Sequence, residues 1–232
     1  MRKIRRPFFV INPKSYLYGE KTIELASKAD ELAVKYDIDI FFTAQHVELK
    51  DVKKAAPHLI VTAQHMDGIT PGRGMGAILP EALKEAGVEA SFLNHIEHAM
   101  TVADLGETIR RAKDLEILTI VCADSPEETA AVAAMHPDII VCEPAKLIGT
   151  GVTSGSEYMK ASDSVVRKLS PETLVLQASG ISTGQDVYNA IIEGGADGTG
   201  ATSGIVAKED PVKAMEEMIL AIVKARDDIS KL

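Results

Sequence analysis

With 232 residues, 46% of them hydrophobic and 25% charged, the chain is long enough to bury one sizeable core and has the balance of a globular protein. Its net charge of −9 argues against nucleic acid as a partner, because a phosphate backbone needs a basic face. Aromatic residues are only 4% and tryptophan is absent, so the core has to be aliphatic.

Two cysteines, Cys122 and Cys142, each close an apolar run, which predicts buried reduced thiols rather than a disulfide framework. The basic start Met1-Arg2-Lys3-Ile4-Arg5-Arg6 lacks a following apolar stretch of signal-peptide length. No segment approaches the about 20 apolar residues of a membrane span. The expectation is a cytoplasmic protein with no membrane partner.

Short apolar runs alternate with longer segments of helical pattern. The predicted strands, in chain order, are residues 8–11, 38–42, 59–62, 90–93, 117–121, 139–142, 174–177 and 198–201. The predicted helices are residues 20–36, 48–56, 80–86, 99–113, 126–135, 156–169, 183–193 and 211–229. Ser125-Pro126-Glu127-Glu128 is an N-cap, a first-position proline and an acidic first turn, and Asp210-Pro211 opens the last helix. Gly87 and Gly194 stop the third and seventh helices. Such alternation means parallel strands with crossovers. Eight units favour an α/β fold closed as a single-domain (β/α)8 barrel over residues 1–232, rather than an open doubly wound sheet. No Gly-x-Gly-x-x-Gly follows the first strand, so a dinucleotide site lacks its signature.

In such a barrel the strand C-termini converge on one mouth, and catalytic groups come from several of them. Asn12-Pro13-Lys14 follows the first strand, and there Lys14 would offset the charge of a bound anion. Thr43-Ala44-Gln45-His46 recurs as Thr62-Ala63-Gln64-His65 after strands two and three, which reads as two equivalent strand ends. His46 and His65 suggest a metal only weakly, because no carboxylate or thiolate clearly joins them. Residues 70–77, with Gly72, Gly74 and Gly76 around Arg73 and Met75, read as an adaptable contact surface.

His95 follows the fourth strand in Asn94-His95-Ile96-Glu97. Glu143 ends the sixth strand before Pro144, and a carboxylate brought into an apolar, closable site becomes a useful base. Residues 144–153 carry Gly149-Thr150-Gly151 near their far end and read as a lid, with the Gly149 N–H available to an anion. Ala178-Ser179-Gly180-Ile181 and Thr202-Ser203-Gly204 follow strands seven and eight, where barrels bind phosphate.

The order and content of these motifs resemble the triosephosphate isomerases in their short archaeal form, over nearly the whole chain. The family's Asn-x-Lys matches at Asn12 and Lys14, and its His-x-Glu at His95 and Glu97, with Ile96 where serine is usual. Of the family's two hinge prolines only Pro144 is present, Ala145 standing in place of the second. Ala178 departs from a Gly-rich form, Thr202 replaces a smaller residue, and Met75 takes the place of a threonine at the tip of the intersubunit loop.

The resemblance implies interconversion of dihydroxyacetone phosphate and D-glyceraldehyde 3-phosphate through an enediolate, in glycolysis and gluconeogenesis, with no cofactor and no metal. It makes Glu143 the base that shuttles a proton between adjacent carbons. His95 becomes a neutral electrophile, its pKa lowered at the N-terminus of the following helix. Lys14 is the anchor, Asn12 its positioner, and Glu97 caps that helix or pairs with Lys14. Ile148, Gly149, Gly180, Thr202 and Ser203 hold the phosphate of a small triose. A homo-oligomer, dimer or tetramer, is expected through residues 70–77. The rival readings are another phosphate-sugar isomerase or epimerase barrel, and a triose-phosphate-binding paralogue without turnover.

Overall fold

The computed structural model describes residues 2–144 and 155–231. The lid expectation, with Ile148 and Gly149 in it, lies outside the described residues.

Eight parallel strands close in sequence order: β1 (Phe8–Ile11), β2 (Ile40–Ala44), β3 (Ile60–Ala63), β4 (Ala90–Leu93), β5 (Leu118–Ala123), β6 (Ile139–Cys142), β7 (Leu174–Gln177) and β8 (Gly198–Ala201). Closure is the pairing of β1 with β2 on one side and β8 on the other. Between strands run α1 (Glu20–Tyr36), α2 (Leu49–Ala55), α3 (Pro80–Glu85), α4 (Val102–Asp114), α5 (Pro126–Ala133), α6 (Ser156–Leu169) and α7 (Gly184–Ile192). After β8 come a short α8 (Ser203–Val206) and then α9 (Pro211–Ile229). This is the (β/α)8 barrel expected from the alternation.

Strand residues split by parity into two layers. Phe8, Val10, Phe41, Ile120 and Val141 belong to the cluster that fills the barrel, while Phe9, Ile11, Phe42, Val121 and Ile140 pack with helix residues such as Leu25, Ile109 and Ile219. Both strand faces are therefore apolar, which is why the runs in the sequence are continuous rather than alternating. Inside the barrel Phe8 meets Phe41 edge to face, with centroids 5.3 Å apart.

The glycines of β8 answer this packing. A Cβ on Gly198 would lie 2.4 Å from the Phe8 ring, and one on Gly200 would lie 2.6 Å from the Val10 carbonyl oxygen. Poor strand formers thus close the barrel because their neighbours already occupy the space.

Several boundaries move from expectation. β2, β3 and β5 run on through Thr43-Ala44, Ala63 and Cys122-Ala123, since these small residues pair with their neighbours' ladders. β2 also starts two residues late, because Asp39 leaves the expected strand to receive Arg2 and Arg5 below the barrel. Burial pushes the Asp39 carboxyl up, yet hydrogen bonds from Arg5 and the charge of Arg2 hold it below its usual range. α4 begins at Val102 rather than residue 99, because the Thr101 hydroxyl caps it by accepting from the Asp104 N–H. The Ser125 and Asp210 caps form as expected. After α3, Gly87 takes the left-handed conformation, but after α7 that role falls to Gly195. Both cysteines are free and buried. Among the described residues no helix is long and apolar enough to cross a membrane.

Candidate active site

The C-terminal ends of β1, β4, β6, β7 and β8 surround a cavity of about 230 Å³. Asn12, Lys14, His95, Glu97, Glu143, Gly180, Thr202 and Ser203 all line it. The barrel thus brings together every candidate that falls among the described residues.

Lys14 sits in a left-handed backbone conformation, φ +49°, uncommon for a residue with a Cβ. Three side chains hold it there. Asn12 Oδ1 accepts from the Lys14 N–H at 3.1 Å, and Gln64 Nε2 donates to the Lys14 carbonyl at 2.8 Å, with Gln45 Nε2 behind at 3.3 Å. Asn12 is itself oriented by the Thr43 hydroxyl, which donates to the same oxygen at 2.6 Å. The repeated Thr-Ala-Gln-His is therefore partly a brace for Lys14. The repeat was visible in the sequence, but its target, across three strands, was not. The Lys14 ammonium reaches Glu97 Oε1 at 2.7 Å, so of the two expectations for Glu97 the pairing is the one observed. That hydrogen bond, with the Lys14 charge, holds the Glu97 carboxyl below its usual value.

His95 stands in a tight turn rather than at a helix N-terminus, since α4 starts at Val102. The Glu97 N–H donates to His95 Nδ1 at 3.1 Å, and the His98 N–H to the His95 carbonyl at 2.7 Å. An accepting Nδ1 leaves Nε2 to carry the proton of the neutral ring. Burial lowers the imidazole pKa and the Lys14 charge lowers it further, against a small opposing pull from Glu97. The neutral ring is thus favoured by burial and a neighbouring cation, which replaces the helix dipole as its cause.

Glu143 follows β6, with its N–H donating to the Ala123 carbonyl at 3.0 Å. Burial raises its carboxyl pKa; Lys14 opposes and Glu97 adds to the shift. Gly180 has φ +69°, and Ser203 opens α8, so its N–H has no carbonyl one turn back. Gly200 and Ala201 complete this wall of the cavity with almost no side chain.

A second cavity, about 550 Å³, adjoins the first and shares Asn12, Lys14, His95 and Glu97 with it. His46, His65 and His98 lie on its side, His65 and His98 with ring centroids 3.9 Å apart. Among the described residues, no group of three or more potential ligands is placed to hold a metal ion.

The sequence pattern of one protein family, triosephosphate isomerase, matches residues 7–225. The chain belongs to the triosephosphate isomerase family. It is 35% identical over 219 residues to the triosephosphate isomerase of Methanothermus fervidus, covering 92% of this chain and 98% of that one. The triosephosphate isomerase of Methanothermobacter thermautotrophicus is 36% identical over 218 residues, with 92% and 94% covered, and that of Sulfolobus acidocaldarius 33% over 228 residues, with 97% and 98% covered. Membership in the triosephosphate isomerase family makes the chain an isomerase.

Proposed function

We propose that this isomerase interconverts dihydroxyacetone phosphate and D-glyceraldehyde 3-phosphate, with Glu143 as base, His95 as electrophile and Lys14 as electrostatic anchor. The observation that carries this reading is the single cavity lined by these three side chains together with Gly180, Thr202 and Ser203.

The Glu143 carboxylate removes a proton from the carbon beside the carbonyl, and the C–H electron pair moves into an enediolate. The charge that develops on oxygen is met by His95 Nε2–H and the Lys14 ammonium. Glu143 then returns the proton to the adjacent carbon, and the oxygens exchange one proton. One carbon is oxidised as its neighbour is reduced, so no external electron carrier is required and the reading includes no cofactor. A carboxyl raised by burial is the stronger base, and a neutral imidazole donates without giving up its proton to solvent. Asn12 positions Lys14, and Glu97 orders its ammonium. Backbone N–H groups at Gly180, Thr202 and Ser203 take the phosphate, together with Ile148 and Gly149 outside the described residues.

The same reading includes a homo-oligomer, dimer or tetramer, joined through residues 70–77. Met75 is fully exposed, and Tyr16, Tyr18, Val47 and Ile96 are exposed too. All lie on strand-to-helix loops, hence on the mouth side of the barrel. Residues 1–232 act as one domain. Two buried free thiols suit a reducing compartment, the cytoplasm, where glycolysis and gluconeogenesis use this reaction.

Turnover by the purified protein tests the reading, with Glu143→Asp as the decisive variant. Retracting the carboxylate by one methylene moves it on the order of 1 Å and is expected to lower kcat roughly 100-fold. Affinity for a phosphate-bearing inhibitor should change little. An unchanged kcat would remove Glu143 from the role of base.

A further inference from the structure

Asn94, the residue directly before His95, holds a left-handed backbone conformation, φ +55°. Asparagine tolerates that region better than most residues, but the conformation still has to be held. Its side chain does so with three hydrogen bonds. Oδ1 accepts from the Met100 N–H at 3.0 Å, closing the turn that carries His95. Nδ2 donates to the Cys122 carbonyl on β5 at 3.2 Å and to Glu128 Oε1 at 3.0 Å.

Glu128 lies in the first turn of α5. Its other oxygen accepts from the Asp124 N–H at 2.8 Å. One carboxylate therefore ties the loop after β4 to the loop after β5. Asn94, Asp124 and Glu128 line a further cavity of about 160 Å³ against the His95 turn, which shares His95, Cys122 and Glu143 with the first cavity. Neither Asn94 nor Glu128 is among the described residues that line the catalytic cavity, so neither is placed to touch substrate.

We propose that Glu128, acting through Asn94, is a positioning residue for His95: the Glu128–Asn94–Met100 chain of hydrogen bonds sets where the imidazole Nε2–H points. The inference rests on His95 being the electrophile. An anionic acceptor suits the task, because it faces two donors and charge-assisted bonds are short and strong. A glutamine in its place keeps the volume but offers one acceptor oxygen to two donors, so one tie is lost. The turn would then relax, and electrophilic catalysis is sensitive to displacements of that size.

The test is steady-state isomerisation by Glu128→Gln, Asn94→Gly and His95→Gln, and by each of the first two combined with His95→Gln. Asn94→Gly is informative even where Glu128→Gln folds poorly, since glycine adopts the observed backbone conformation without strain and only the amide is removed. Each single variant is expected to lower kcat about 10-fold with KM within about twofold, as loss of a transition-state interaction requires. In the His95→Gln background the same changes should cost less than about twofold, because the residue they act through is gone. Parental kcat in Asn94→Gly, or a full decrement that persists without His95, overturns the positioning role alone. A His95→Gln enzyme with parental kcat overturns it together with the assignment of His95.

Discussion

Lys14 concentrates the physical problem of the site in one residue. Its half-buried ammonium lines the cavity against Glu97, and its backbone is held in an unfavourable region by Asn12, Gln64 and Gln45. Strain of this kind persists only where the surroundings over-determine it. The ion pair with Glu97, at 2.7 Å, keeps the side chain extended into the mouth. Replacing Lys14 with Met keeps the length and removes the charge. A charge-assisted hydrogen bond to a phosphate-bearing ligand is worth about 1.5–3 kcal/mol, so phosphoglycolate affinity should fall roughly 10- to 150-fold in calorimetry. Equal affinity in parent and variant would place the anion's counter-charge elsewhere, Lys146 being the first alternative. The Glu97 carboxyl should also titrate closer to its ordinary value in Lys14→Met, since the hydrogen bond that lowers it is gone.

Among the elements, β8 shows how a strand of low propensity can be indispensable. Gly-Thr-Gly-Ala would not be expected to form a strand alone. It does so because β1 and β7 supply ladders on both sides and because the Phe8 and Val10 side chains fill the space opposite. Gly200 also lines the candidate catalytic cavity, so the same missing side chain serves packing and access. A Cβ there would stand 2.6 Å from the Val10 carbonyl oxygen and 2.7 Å from its Cβ, neither of which is the loose end of a side chain. Gly200→Ala is expected to cost about 1–3 kcal/mol in denaturant unfolding, the usual range for overpacking. An unchanged unfolding midpoint would mean that the β1–β8 seam has slack.

For the molecule as a whole, the described mouth-side loops of the first four units differ from those after β7 and β8. The former carry exposed Tyr16, Tyr18, Val47, Met75 and Ile96, while β7 and β8 are followed by the glycine and hydroxyl residues of the candidate phosphate wall. One half presents exposed apolar side chains and the other small and hydroxyl-bearing residues, with Lys14, His95 and Glu143 lining the cavity beside them. The base of the 70–77 loop is tied down by the Asp67 carboxylate, which accepts from the Ile78 N–H at 2.6 Å, so Met75 is presented rather than trailing. Met75→Glu would place a charge in the contact proposed for this loop, and light scattering should show a shift towards monomer. A parent protein already monomeric at working concentration would overturn the assembly.

The sequence by itself determined the eightfold alternation, the helix caps at Ser125 and Asp210, and the identity of the residues at the strand ends. These are local properties: a run buried on both faces is apolar throughout, a cap needs its own side chain, and a base or an electrophile has to be a particular residue type. Tertiary structure decided what lies far apart along the chain. Closure of β8 on β1 depends on glycines whose meaning is set by Phe8 and Val10. The extension of β2, β3 and β5 into small residues depends on neighbouring ladders. The Gln45 and Gln64 brace on Lys14, and the tie from Glu128 through Asn94 to the His95 turn, join polar side chains on different strands and helices. Periodicity carries no record of such partners. The turn that replaces a helix N-terminus at His95 has the same origin, since the Asn94 amide and the Thr101 cap together delay α4 to Val102. The barrel's repeat was written along the chain, whereas the aim of the side chains proposed as catalytic was set only where the strand ends met.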